Sequence, residues 1–423
     1  MPTLPLSARS KRTKDSPITF FIKTAIETPG MISLAAGLVD EASLPTEDVA
    51  AAENAVLANA KSGKAALQYG STHGFAPLRK KCLEFLTSAD GTIAGDMKLS
   101  PDHVILTTGS QQTLYLLGEA LLDPGDIVFC EAPSYFVFQS LLESAGSRVI
   151  SVPMDDDGMK VDILEAKLAA LEKSGELAKV KLIYTVDYFQ NPTGLSLSAS
   201  RREKLVQIAK KYSKHRRILI VEDAAYRELR YDGPDLPSVK KFDPTNEYVV
   251  FTSTFSKPLS PGMKTGYAIL PADLVDPIVN LKSSHDFGSS NLNQTVINHL
   301  IESGAYRTHI EQLRKVYRSK RDAMLSALAE QFADWPAVTW TKAAGGMYSW
   351  IMFPKHIDTG PDGPLIDRGV KEGVLFIPGQ YCHVPDEHGH LPKNEARLSF
   401  GVANEEQLRE GIRRLRAACR GLE

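Results

Sequence analysis

The chain has 423 residues, more than one ordinary core accommodates, so two domains or one large α/β domain with a smaller appendage are expected. A net charge of −2 with 24% charged residues gives no electrostatic reason to expect nucleic acid or an anionic membrane as partner. No run approaches about 18 apolar residues, which excludes a helical membrane span, and the four cysteines are scattered without metal-type spacing.

In chain order, the opening "MPTLPLSARSKRTKD" lacks the apolar stretch of a secretory signal. With the scattered cysteines this fits a reducing, cytoplasmic setting. Short apolar runs then alternate with helical patterns. "HVILTT" (103–108) precedes a helix-like stretch over 111–122. "DIVFC" (126–130), a helix near 134–145 and "SRVISV" (147–152) follow. "VKLIYTV" (180–186) leads through a polar loop to an amphipathic helix over 200–214. "RILIVED" (217–223) and "YVVFTS" (248–253) complete the series. Strands alternating with helices imply a mostly parallel sheet covered on both faces. Ligands collect at the carboxyl ends of such strands. Residues 305–331 form a long charged helix pattern. Strand-like pieces at 337–340, 347–353 and 396–400 and a last helix over 404–419 come after it. The expected division is a large domain over 51–304 and a smaller α+β domain built from 1–50 and 305–423.

Four polar clusters follow four of the apolar runs. In "TTGSQQ" (107–112), Gly109 permits a tight turn, and Ser110 and Gln111 open a helix whose free N–H groups suit a phosphate. Taken alone, the same stretch reads as an ordinary capped helix start. "QNPTG" (190–194) is a turn by composition, and Asn191 could also offer its amide to a ligand oxygen. In "VEDAAY" (221–226), Asp223 ends an apolar strand, so it needs a cationic partner or caps the next helix; Tyr226 lies one turn on. "STFSKPLSPGMKTGY" (253–267) fixes Lys257 and Lys264 in a stretch where Pro258, Pro261 and Gly262 rule out a regular helix. Each cluster alone is ambiguous. Together they meet the needs of one cofactor, pyridoxal 5′-phosphate: a cradle for phosphate, a buried acid for a protonated ring nitrogen, an amide and a phenol for a phenolic oxygen, and a lysine for an aldehyde.

These motifs, with "ARLSF" (396–400), resemble in order and approximate spacing the class I/II aminotransferases of pyridoxal-phosphate fold type I. The resemblance covers nearly the whole chain. "SPITFFIKTAIETPGMISLAAGL" (16–38) is similar to the kynurenine/2-aminoadipate aminotransferase branch; "QYGSTHGFAPLRKKCLEFL" (68–86) and "GGMYSW" (345–350) belong to the same likeness. The resemblance implies a seven-stranded-type, mostly parallel sheet and a homodimer with shared active sites. It implies that Lys257 holds the cofactor covalently and moves the substrate proton. Asp223 pairs with the ring nitrogen, Asn191 and Tyr226 hold the phenolic oxygen, and Tyr135 covers the ring. Gly109, Ser110, Gln111, Thr254, Ser256 and Lys264 surround the phosphate, which Tyr69 of the neighbouring subunit also reaches. Arg397 binds the substrate carboxylate with its fork, and Gly37 lets backbone approach the substrate.

Two departures stand out. Many relatives of this kind carry arginine where this chain has Lys264, and Thr19 stands where an arginine can read the substrate side chain. The second leans toward a neutral or aromatic donor, unless Arg9 or Arg12 substitutes. The expected activity is transfer of an amino group to a 2-oxo acid, 2-oxoglutarate being the acceptor. The rivals are β-elimination or decarboxylation on the same fold and a non-catalytic ligand-sensing module. The histidines of "CHVPDEHGH" (382–390) read as an exposed loop rather than a metal site, and the basic runs at 10–14 and 210–217 as solvated faces.

Overall fold

The computed structural model describes residues 4–14, 21, 27–386 and 388–422. Its strands are β1 (Ile32–Ser33), β2 (Val104–Thr107), β3 (Ile127–Ala132), β4 (Arg148–Asp155), β5 (Gly158–Met159), β6 (Val180–Thr185) and β7 (Leu219–Asp223). β8 (Val249–Thr254), β9 (Gly266–Ile269), β10 (Thr339–Trp340), β11 (Tyr348–Met352), β12 (Val374–Leu375), β13 (Ile377–Pro378) and β14 (Glu395–Ser399) follow. Strands β2 to β9 form one sheet in the order β2-β9-β8-β7-β6-β3-β4-β5. β3, β4, β6, β7 and β8 pair in parallel, while β9 runs antiparallel to both its neighbours.

Successive residues of a strand face opposite sides of the sheet, and here both sides are covered. Ile127, Phe129, Ile183 and Ile220 pack with the helices Val161–Lys173 and Ala199–Tyr212. Val128, Cys130, Leu182 and Val221 face the other way, toward the helices Ser110–Leu121 and Phe136–Ala145. Continuous apolar runs, rather than alternating ones, are what a two-sided core demands. The antiparallel strand β9 is one of the elements that sequence reading missed: it begins at Gly266, inside the tail of the lysine-bearing stretch.

The second sheet, β10-β11-β14-β13, is antiparallel and holds Arg397 in β14 between Trp350 and Ile377. The helices Ala305–Gln331 and Glu405–Cys419 pack against each other beside it. The first carries buried Tyr306, Ile310, Leu313, Tyr317, Lys320, Met324 and Leu328 at three- to four-residue steps, and neither proline nor glycine interrupts it. β1 pairs in parallel with β12, which ties the start of the chain to this part of the molecule. Among the described residues no helix is long and apolar enough to cross a membrane.

Candidate active site

The carboxyl ends of β2, β6, β7 and β8 lie along one edge of the large sheet, and their loops enclose a single cleft. Thr108, Gly109, Ser110, Gln111, Tyr135, Asn191, Asp223, Tyr226, Thr254, Ser256, Lys257 and Lys264 line it. Sequence reading expected all of these except Thr108.

At the end of β2, Gly109 turns the chain at φ 73° into the helix Ser110–Leu121. A helix start leaves its first N–H groups without intrahelical acceptors, so Ser110 and Gln111 offer donors and the positive end of the dipole to an anion. The turn fits because Gly266 pairs with both Thr107 and Thr254. A Cβ on Gly266 would stand 2.6 Å from the Ser110 nitrogen and 2.7 Å from the Gly109 carbonyl carbon. Thr254 and Ser256 join hydroxyls at 2.9 Å on the far side of this turn. Lys264, in left-handed backbone at φ 46°, brings its charge to the same cleft.

Asp223 ends β7 almost fully buried, accepting hydrogen bonds from the Tyr184 hydroxyl at 2.9 Å and the Ala225 N–H at 3.3 Å. Burial pushes its carboxyl up to about 6, and those two donors pull it only part of the way back. Such an acid is built for a cationic partner. Glu131, at the end of β3, is pushed up by burial to about 7. It accepts from Thr185 Oγ1 (2.6 Å), the Val186 N–H (3.1 Å) and Gln190 Nε2 (2.6 Å). Gln190 also donates to the Pro133 carbonyl at 3.0 Å, so one amide braces the loops that carry Tyr135 and Asn191.

Lys257 Nζ donates to the Gly37 carbonyl at 2.8 Å, which brings the start of the chain to the cleft. Behind Asn191 lies Arg397, 1% exposed. One Nη donates to Asn191 Oδ1 at 2.9 Å and the other to the Ala35 carbonyl at 2.7 Å. Its Nε has no partner, and among the described residues no carboxylate lies within ion-pair reach of the guanidinium. The Tyr348 ring sits beneath it, 4.4 Å from the guanidinium carbon, with its hydroxyl 3.4 Å from that of Tyr226. Burial raises the Tyr348 phenol, but Arg397, Lys257 and the Tyr226 hydrogen bond outweigh that and leave it below its ordinary value. A Cβ on Gly37 would stand 2.8 Å from the Tyr348 hydroxyl, so only glycine leaves that approach open.

Tyr69 lies outside this cleft. It is 80% exposed, edge-on to Phe287 at 5.4 Å, which is itself 58% exposed. Arg9 is engaged with Glu119 and Tyr115, and Arg12 donates to the Ser144 and Ala145 carbonyls. Thr19 lies outside the described residues. His383 Nε2 sits 2.8 Å from Glu395. Sequence reasoning missed Tyr184, Tyr348, Glu131 and Gly266. Tyr348 and Gly266 stood within recognised motifs; the roles of Gly266, Tyr184 and Glu131 show only through long-range packing.

The model of the family "Aminotransferase class I and II" matches residues 29–415. The chain is a class I/II aminotransferase. It falls in the kynurenine/2-aminoadipate aminotransferase branch of fold type I, and its cofactor is pyridoxal 5′-phosphate. It is 37% identical to an aromatic-amino-acid aminotransferase of Thermococcus litoralis, over 92% of this chain and 88% of that one. It is 33% identical to a 2-aminoadipate transaminase of Thermus thermophilus, over 94% and 92% of the two chains. The Pyrococcus horikoshii kynurenine aminotransferase structure superposes with a TM-score of 0.88 at 34% identity, covering 98% of this chain and 96% of that one. The aminotransferase's own cleft fits the cofactor: a helix start and a lysine for the phosphate, a buried acid lacking a cation, and a second lysine free of any carboxylate partner.

Proposed function

We propose that this aminotransferase takes the amino group of a neutral or aromatic L-amino acid and delivers it to a 2-oxo acid, 2-oxoglutarate, in two half-reactions at one cleft. The observation that carries this reading is Arg397: a buried guanidinium beside the cleft with no carboxylate partner among the described residues. A charge left so is costly unless a ligand supplies the anion, and amino acids and 2-oxo acids share the carboxylate that a guanidinium fork fits. When bound, pyridoxal phosphate supplies the electron sink that makes the substrate α-carbon acidic.

The chain's residues do the rest. Lys257 Nζ would hold the cofactor and, when free, would take the proton from the substrate α-carbon. Its Nζ donates to the Gly37 carbonyl. Asp223 would keep the ring nitrogen protonated, Asn191 and Tyr226 would hold the phenolic oxygen, and Tyr135 would cover the ring. Gly109, Ser110, Gln111, Thr254, Ser256 and Lys264 would take the phosphate, with Lys264 contributing a point charge in place of a fork. Asn191 touches both ends of this machinery, since it also holds Arg397.

The donor preference is supported by the cleft lining, which includes Lys257 and Lys264 but no arginine, and by the engagement of Arg9 and Arg12 elsewhere. Exposed Tyr69 and Phe287 support a homodimer in which Tyr69 completes the partner's phosphate site. Buried Cys82, Cys130 and Cys382, not in disulfides among the described residues, support a cytoplasmic setting. The division into 1–50, 51–304 and 305–423 belongs to the same reading.

A panel of L-amino acids against 2-oxoglutarate, followed as 2-oxo acid formed, tests it. Aromatic and neutral donors should turn over fastest, and donor alone should release one equivalent of 2-oxo acid per cleft. Faster turnover of 2-aminoadipate than of every neutral or aromatic donor contradicts the preference. Elimination products in place of the matching 2-oxo acid contradict the reaction.

A further inference from the structure

Behind the phosphate cradle lies a polar cluster that does not line the cleft. Lys282, fully buried, donates from Nζ to Asp286 Oδ1 at 2.8 Å and Oδ2 at 3.1 Å, and to Ser289 Oγ at 3.0 Å. Ser289 Oγ lies 3.1 Å from Asp286 Oδ2 and accepts from Thr108 Oγ1 at 3.1 Å. Gln112, 7% exposed, joins the cluster to the chain turn. Its Nε2 donates to Asp286 Oδ2 at 2.8 Å and lies 3.0 Å from His285 Nδ1. Its Oε1 accepts the Thr108 backbone N–H at 2.8 Å. Thr108 is therefore held at both its backbone N–H and its hydroxyl, and it immediately precedes Gly109 and Ser110.

We propose that Gln112, oriented by half-buried Asp286 and its partner Lys282, is a positioning residue for the cofactor's phosphate, acting through Thr108. The inference rests on the placement of the phosphate at Ser110 and Gln111. An amide side chain can present its carbonyl to Thr108 only if its nitrogen is claimed elsewhere. Asp286 claims it, and buried Lys282 holds that half-buried carboxylate in place. A network whose members are all satisfied has one arrangement, so the turn is shaped before the anion arrives. Pre-shaping cuts the ordering cost of binding, and it does so for the phosphate end alone.

The test compares two ligands on the full chain stripped of cofactor: pyridoxal 5′-phosphate and pyridoxal. Gln112→Met keeps length and burial but loses the amide's hydrogen bonds to Thr108, Asp286 and His285. It should weaken pyridoxal 5′-phosphate binding by about fivefold or more, the worth of a neutral hydrogen bond, and leave pyridoxal binding unchanged. Asp286→Asn should shift the ratio the same way, and carries the test if the first variant fails to fold. Equal weakening of both ligands, or no change in either, overturns the positioning role. A wild-type chain that does not prefer the phosphorylated ligand overturns the phosphate placement itself.

Discussion

Arg397 and Asp223 are opposite charges buried near one cleft, yet they are not each other's partners. Asp223 has hydroxyl and N–H donors, and Arg397 has an amide, a carbonyl and an aromatic face. Each is therefore free to take the complementary charge of a ligand. Replacing Arg397 by lysine keeps the charge but loses the fork. KM for the amino acid should rise about 10- to 100-fold, the worth of a charged hydrogen bond, with a smaller change in kcat. Steady-state kinetics with saturating 2-oxo acid reads this directly. For Asp223 the sign follows from a carboxyl raised to about 6 by burial. Without cofactor, the group favours the fold fully below about pH 4, the ordinary carboxyl range, and that contribution is lost as pH rises through about 6. Cofactor-free Asp223→Asn should therefore melt above the cofactor-free wild type at pH 8, and the gap should close toward pH 4. A gap independent of pH contradicts a carboxylate strained by burial.

At the scale of elements, the cleft is a meeting of strand ends. Those were legible in the sequence because parallel strands bring every post-strand loop to one edge, so polar clusters after apolar runs had to converge. The assignment of Lys257 and Lys264 to different roles was not legible from local spacing; it came from family resemblance. Gly266 was not legible at all. Its need for a bare Cα arises from Gly109 and Ser110, about 150 residues away in sequence, and no local pattern announces such an approach. Gly266→Ala would press a methyl onto backbone atoms that cannot yield. It should cost about 1–3 kcal/mol of stability and weaken cofactor binding as well, both measurable by melting with and without pyridoxal 5′-phosphate. Tyr184 and Glu131 escaped for a related reason. Each lies in or at the end of an apolar strand, and only the folded sheet shows that one steadies Asp223 and the other braces Gln190.

For the whole molecule, the proposed homodimer would cover the exposed pair Tyr69 and Phe287. Tyr69→Ala should lower cofactor affinity while leaving Lys257 able to react. Mixing it with a Lys257→Ala chain should restore one complete cleft per mixed dimer. Light scattering and activity of the mixture check both halves of this statement. The proposed chemistry turns on one atom, Lys257 Nζ. Reducing the cofactor-loaded enzyme with borohydride and mapping the labelled peptide tests it most directly. The label should fall on Lys257 alone, and a label on Lys264, or none, would contradict the account.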